Sequence, residues 1–194
     1  MKMKSVGITG GIGSGKSKVM QHLASLGYPI YLSDEASKRI MDTEDIIRKI
    51  QNLFDVSIIT NGKLDRKKIA TIVFTDKEKL NQLNDIVHPA VAQDYKVFLE
   101  ENKGSDIVFY ESAILIESNN YKKFDFIVLI TAPEDIRIKR VMKRDQISEE
   151  MVRERMKNQM KDEEKLPFVD HVIENVEFEK TIEKLEKLIN ILKK

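Results

Sequence analysis

Val6-Gly7-Ile8-Thr9-Gly10-Gly11-Ile12-Gly13-Ser14-Gly15-Lys16-Ser17 runs from a short apolar stretch into a glycine-rich turn closed by lysine and serine. From Gly10 onward it spells Gly-x-x-x-x-Gly-Lys-Ser, the P-loop pattern, between a predicted strand and a predicted helix, where the pattern carries meaning. Glycines let backbone N–H groups converge without Cβ interference, forming an anion nest at a helix N-terminus. The spacing assigns the amides of Gly11, Ile12, Gly13, Ser14, Gly15, Lys16 and Ser17 to the phosphates of a nucleoside triphosphate. The Lys16 ammonium would reach the β- and γ-phosphates, and the Ser17 hydroxyl would reach Mg²⁺. A plain strand-to-helix turn is the competing reading, and the complete pattern in this context argues against it.

Working outward, residues 5–9 form the first predicted strand, short and apolar. A helix over residues 16–26 carries Val19, Met20, Leu23, Ala24 and Leu26 and stops at Gly27. Residues 28–32 predict a second short strand, with Pro29 arguing for its start or for an edge. Ser33 or Asp34 can cap the next helix, which carries Ala36, Ile40 and Met41. From about residue 42 to 87 the texture becomes that of amphipathic helical pieces, with Asn61-Gly62 marking a turn and a further helix expected from Pro89. Continuous apolar runs at 107–110 and 126–130 predict strands covered on both faces. A charged helical stretch over 133–165, a strand at 171–173 and an amphipathic helix through Leu192 complete the chain. Strands alternating with helices predict a doubly wound α/β sheet with a helical insertion.

The bulk composition agrees with that class. The 194 residues suffice for one compact domain, and 41% apolar with 34% charged residues describe a globular protein. A net charge of +1 supplies no basic field for capturing nucleic acid, so none is expected as a partner. The chain has no cysteine, which excludes disulfides and thiolate metal sites, and its three histidines are spaced unlike a metal cluster. No apolar run approaches the ~20 residues needed to span a bilayer, so no membrane partner is expected. Met1-Lys2-Met3-Lys4 runs straight into strand-like sequence with no cleavable leader, and a cytoplasmic location is the simplest expectation. Amphipathic helices could face a core or a neighbour, so the oligomeric state stays open, with a monomer favoured.

A P-loop alone does not name a reaction, since motors, GTPases and small-molecule kinases share it. The chain lacks an Asn-Lys-x-Asp guanine-reading motif, and the predicted strand at 107–110 ends in Glu111. A short chain, an insertion after the second strand and a late arginine-rich segment favour a small kinase. Arg137, Arg140 and Arg144 fall at i, i+3 and i+7, on one side of a helix, where cations could close over a triphosphate; a solvated helix face fits the same pattern. Asp34 follows the second strand, where a carboxylate could accept the proton of an attacking hydroxyl; helix capping fits that position equally well. His88-Pro89 reads more simply as a structural histidine at a loop-to-helix junction.

Taken in order, these pieces resemble the dephospho-coenzyme A kinase family over nearly the whole chain. Gly7-Ile8-Thr9 through Ser17 reproduces the family's opening, whose doubled glycine is more specific than the generic P-loop. Asp34 with Ala36, Gly62-Lys63-Leu64-Asp65-Arg66, Ile86-Val87-His88-Pro89, Arg140 to Asp145 with Arg155 and Gln159, and Val172-Ile173-Glu174-Asn175 match further family segments. The resemblance implies ATP-dependent phosphorylation of the ribose 3′-hydroxyl of dephospho-coenzyme A, with ATP and Mg²⁺ required. It implies an α/β, P-loop NTPase-type parallel-sheet core with helices on both faces (about 1–32, 89–136 and 166–194). A helical acceptor-binding region (about 33–88) and a helical lid (about 137–165) complete it. It makes Asp34 the base, with Lys16 and Arg140 as catalytic cations and Arg144 a second lid cation. Asn175 falls near the adenine, and Arg66, His88 and Glu111 fall at the acceptor.

Three departures stand out. Leu32-Ser33-Asp34 replaces the family's Asp-Ala-Asp and keeps only its second carboxylate. Glu111-Ser112-Ala113-Ile114-Leu115-Ile116-Glu117 replaces Asp-x-Pro-Leu-Leu-Phe-Glu. Lys18 stands where threonine is usual, and its side chain is expected to face away from Mg²⁺.

Overall fold

A computed structural model describes residues 3–193. Met1 and Lys2, which the sequence runs directly into the first strand, lie outside the described residues, as does Lys194. The chain divides into two compact units, residues 1–32 with 102–194 and residues 33–101.

The first unit is built on a parallel sheet. In chain order its elements are β1 (Lys4–Thr9), α1 (Lys16–Ser25) and β2 (Ile30–Leu32), and then, beyond the second unit, β5 (Ile107–Glu111) and β6 (Phe126–Thr131). They continue through α6 (Glu134–Asp145), α7 (Glu149–Lys157), α8 (Asp162–Lys165), β7 (His171–Glu174) and α9 (Phe178–Leu192). The strand order is β2-β5-β1-β6-β7, and every pairing is parallel. The continuous apolar runs take the inner positions, where both faces are covered, as burial of unbroken Ile/Val/Leu sequence requires. Alternate residues Val6, Ile8, Ile107, Phe109, Val128, Ile130 and Ile173 point to one face and pack with Val19, Met20 and Leu23 of α1 and Leu185, Leu188 and Ile189 of α9. On the other face Gly7 makes room: a Cβ there would lie 2.7 Å from Leu115 and 2.8 Å from Ile127. The sheet thus carries helices on both faces, as expected.

Pro29 precedes an edge strand, where its missing N–H is harmless, and its carbonyl accepts from Phe109 N–H at 2.9 Å. Gly27, with φ of +85°, ends α1. Its N–H donates to Ala24 O while Tyr28 N–H donates to Leu23 O, a Schellman stop. The charged stretch predicted over 133–165 is three helices rather than one, broken after Asp145 by Gln146 in the left-handed region (φ +55°).

The second unit holds α2 (Ser33–Met41), α3 (Glu44–Gln51), β3 (Ile59–Thr60), β4 (Lys63–Leu64), α4 (Arg66–Thr75) and α5 (Lys77–Glu101). Its buried side chains include Ile40, Ile50, Phe54, Ile58, Ile69, Leu83 and Val91. The Asn61-Gly62 turn closes an antiparallel hairpin, β3 with β4, which periodicity alone does not reveal because each strand has two residues. Both turn residues have positive φ, +51° and +76°, as a type I′ hairpin turn requires.

Pro89 does not start a helix. It lies inside α5, so His88 is in mid-helix and exposed, not at a loop junction, and the inserted unit runs on to Glu101 instead of ending at residue 88. Apolar residues Leu83, Val87 and Val91 at i, i+4 and i+8 bury one stripe straight through the proline. That burial outweighs the one hydrogen bond the Pro89 nitrogen cannot donate. Replacing Pro89 with alanine should therefore stabilise the protein by about 1–3 kcal/mol, read as a higher urea midpoint at unchanged m-value. A lower midpoint would show that the packing depends on the proline.

Candidate active site

The glycine loop leaves β1 at its carboxyl end and enters α1 at Lys16. Gly15, at φ +96°, is the N-cap, and with no side chain it places no capping hydrogen bond on the first turn of α1, the position at which helices accept anions. The loop's carbonyls, by contrast, are occupied one after another. Gly10 O and Gly11 O accept from Lys16 Nζ at 2.9 and 3.4 Å, and Gly11 O also accepts from Ser14 N–H at 3.2 Å. Ile12 O accepts from Arg137 Nε at 2.9 Å, Gly13 O from Arg140 Nη1 at 3.4 Å and Ser14 O from Asn175 Nδ2 at 2.7 Å. Gly15 O takes the N–H groups of Lys18 and Val19.

Ile12 faces wholly outward. Its side chain packs on Ile138, Val141 and Val152 of α6 and α7, and its N–H donates to Gln159 Oε1 at 2.8 Å. Of the amides that the spacing assigns to phosphate, those of Ile12 and Ser14 thus have partners within the protein, Gln159 Oε1 and Gly11 O.

Arg137 is the residue whose weight the sequence underrates. It pairs with Asp162 at 3.1 Å, with both side chains largely buried (11% and 16% exposed). Its guanidinium occupies the space a Cβ on Gly11 would need, and its carbonyl lies 2.5 Å from where a Gly13 Cβ would fall. A Cβ on Gly15 would strike the Asn175 carboxamide. These glycines thus make room for the protein's own side chains pressing on the loop from outside.

At the neighbouring strand end, Glu111 Oε1 stands 3.8 Å from Lys16 Nζ, with Glu111 paired in register to Ile8 and Leu32. The segment after β5 is tied down by Glu117, whose Oε1 accepts from Met160 N–H at 3.1 Å and pairs with Lys165 Nζ at 3.0 Å. Lys165 is fully buried, and it also donates to Ala113 O at 3.4 Å. Neither Lys165 nor Gln159 announces its role by spacing, because their partners are more than forty residues away.

Of the three arginines on one side of α6, Arg137 and Arg140 reach the loop, whereas Arg144 chelates Asp145 at 2.7 and 3.0 Å. Asp145 also takes Arg155 at 2.7 Å; the Arg144 hydrogen bond foremost, with Arg155, holds its carboxyl below the ordinary range. Asn175 is 2% exposed, and its Oδ1 accepts from Thr181 Oγ1 at 3.1 Å, so its side chain is committed to the loop. Lys18 turns to the Phe178 ring. In the second unit, Asp34 is exposed in the first turn of α2, and Arg66 donates to Lys38 O at 2.8 Å and Asp42 at 2.9 Å.

This set fits a triphosphate with a divalent cation. A glycine cradle opens onto a helix start with no side-chain cap, beside a lysine, and the exposed Ser17 hydroxyl is a hard oxygen donor of the kind Mg²⁺ selects. Among the described residues, no helix is long and apolar enough to cross a membrane.

The family model described as dephospho-CoA kinase matches residues 4–180. A dephospho-CoA kinase of Bacteroides fragilis is 40% identical over 171 residues, spanning 88% of this chain and 83% of that protein. One of Fusobacterium nucleatum is 37% identical over 176 residues, spanning 90% and 91%. The crystal structure of TT1252 from Thermus thermophilus superposes with a TM-score of 0.91 at 34% identity, covering 98% of each chain.

Glu117 offers a direct check on how the site is held. Glu117→Ala strands the buried Lys165 ammonium and should cost about 3–5 kcal/mol in urea unfolding. Glu117→Gln, which keeps an acceptor for Met160 N–H, should cost less, and equal losses would show that the charge pairing is unimportant.

Proposed function

Because the chain belongs to the dephospho-CoA kinase family, we propose that it transfers the γ-phosphoryl group of ATP to the ribose 3′-hydroxyl of dephospho-coenzyme A. The products are coenzyme A and ADP, and the step is the last of coenzyme A synthesis. The observation that best supports this reading is the glycine loop itself, with its carbonyls occupied and no side chain capping the start of α1.

In this mechanism the amides of Gly11, Gly13, Gly15, Lys16 and Ser17 bind the phosphates. Lys16 exchanges the carbonyls of Gly10 and Gly11 for phosphate oxygens as charge builds on the transferring group. Arg140, whose contact with Gly13 O is long at 3.4 Å, is the lid cation that joins it. The Ser17 hydroxyl, with Asp34 through water, would hold Mg²⁺, which would supply charge neutralisation to the phosphates.

Asp34 is the second residue beyond β2, and in open α/β sheets ligands bind past the carboxyl ends of the strands. Its carboxylate orients the ribose hydroxyl and accepts its proton. Arg66, His88 and Glu111 complete the acceptor's polar contacts. Because phosphoryl transfer is largely dissociative, positioning outweighs basicity.

A coupled ADP-release assay across dephospho-coenzyme A, AMP, CMP and uridine tests the proposal. Turnover should require dephospho-coenzyme A and yield a 3′-phosphorylated product; phosphorylation of another acceptor instead would overturn it. Asp34→Asn should lower kcat by about 10²-fold or more, and Lys16→Ala by about 10²–10³-fold. Near-normal turnover of Asp34→Asn would remove it as the base.

A further inference from the structure

Three consecutive carbonyls of the loop, those of Ile12, Gly13 and Ser14, are each held by a side chain from outside it. In a trans peptide the C=O and the following N–H point in opposite directions. A carbonyl fixed outward therefore fixes the next residue's N–H inward. Arg137 holding Ile12 O aims Gly13 N–H, and Asn175 holding Ser14 O aims Gly15 N–H. These two contacts, at 2.9 and 2.7 Å, are the short ones of the three.

Both holders are themselves held. Arg137 is paired with Asp162, and Asn175 is 2% exposed with its Oδ1 on Thr181. Gln159, accepting from Ile12 N–H at 2.8 Å, pins the preceding peptide in the reverse sense. The alternation of one amide out, carbonyls out and the following amides in is therefore imposed from outside the loop and does not depend on a ligand.

We infer that Arg137 and Asn175 are positioning residues for phosphoryl transfer: each acts through one loop carbonyl to direct one amide, Gly13 N–H or Gly15 N–H, at the nucleotide's phosphates. The inference rests on the nucleotide-binding part of the function proposed above and not on the identity of the acceptor. It gives Asn175 work at the phosphate end, through the backbone, in place of the adenine contact that the family pattern suggests for it.

The test is residue-resolved. Amide resonances of Gly13 and Gly15 are followed by NMR as MgADP is added to the full chain, with affinity measured by calorimetry. In the unaltered protein both amides should move downfield as they bond to phosphate. Arg137→Met, which deletes the donors at similar length, should abolish the Gly13 shift and keep that of Gly15. Asn175→Asp, an isosteric change that sets an acceptor against Ser14 O, should do the reverse. Each should weaken MgADP about tenfold or more, the effect of misdirecting one hydrogen bond to a charged group. The KM for ATP should rise while that for dephospho-coenzyme A stays within twofold.

Variants whose Gly13 and Gly15 resonances shift as in the unaltered protein, with MgADP affinity within twofold, would overturn the inference. So would a uniform loss across all loop amides, which marks a general structural role. If Asn175→Asp fails to fold, Arg137→Met and Arg137→Lys decide alone. Lysine keeps a cation for Asp162 but lacks the forked donor geometry, so full rescue by it would also count against the inference. Strong MgADP binding without phosphorylation of dephospho-coenzyme A would overturn the acceptor assignment and leave the two amides to be judged by their own shifts. If the unaltered protein binds no MgADP, both proposals fall.

Discussion

Main-chain carbonyls from Gly10 to Gly15 are all engaged, and the site depends most on the two held at short range from outside the loop, Ile12 O by Arg137 and Ser14 O by Asn175. A concave turn exposes oxygens as readily as amides, and an anion is repelled by the first and bound by the second. Sequestering the oxygens separates the two sets of dipoles, so the concave side keeps an excess of N–H groups. Lys16 secures the entry to the turn, side chains of α6 and the end of β7 secure its crown, and the first turn of α1 secures its exit. Lys16 lies in the first turn of α1, Arg137 and Arg140 lie on α6, and Asn175 directly follows β7, whose backbone continues the sheet pairing through Asn175 N–H to Thr131 O.

The holders need support of their own. Arg137 leans on Asp162, and a turn further on the fully buried Lys165 leans on Glu117, which also takes the Met160 amide. A charge removed from water is tolerated only when paired and hydrogen-bonded. Residues 159–165 thus stitch the crown of the turn, the start of α6 and the segment after β5 into one network within the first unit. Ile12 joins it through apolar contact with α6 and α7.

Much of this was legible from residue order because it is local. The strands announce themselves as unbroken apolar runs, α1 by its period and its glycine stop, and the glycine loop between β1 and α1 by its fixed spacing. Pro29 pointed to the start of a strand or to an edge, and β2 both begins just after it and lies at the sheet's edge. What escaped was set by partners distant in sequence or by competing terms. Two-residue strands have no period to detect, and the Asn61-Gly62 turn was the only local sign of β3 and β4. A buried stripe carried α5 through Pro89 against the proline's local preference. Three arginines on one helix face look equivalent in a helical projection, yet Asp145 captures Arg144 while the loop takes the other two. Lys165 and Gln159 resemble any polar residue on a charged helix until the fold supplies their partners.

Gly11, Gly13 and Gly15 are small partly because Arg137 and Asn175 press against them from behind. The motif is therefore one half of a mould whose other half lies well over a hundred residues downstream. Transplanted alone onto a foreign strand and helix, the same eight residues would bring the freedom of their glycines without the counter-surface that restrains it. A successful graft would have to carry the arginine, its aspartate and the asparagine along with the loop.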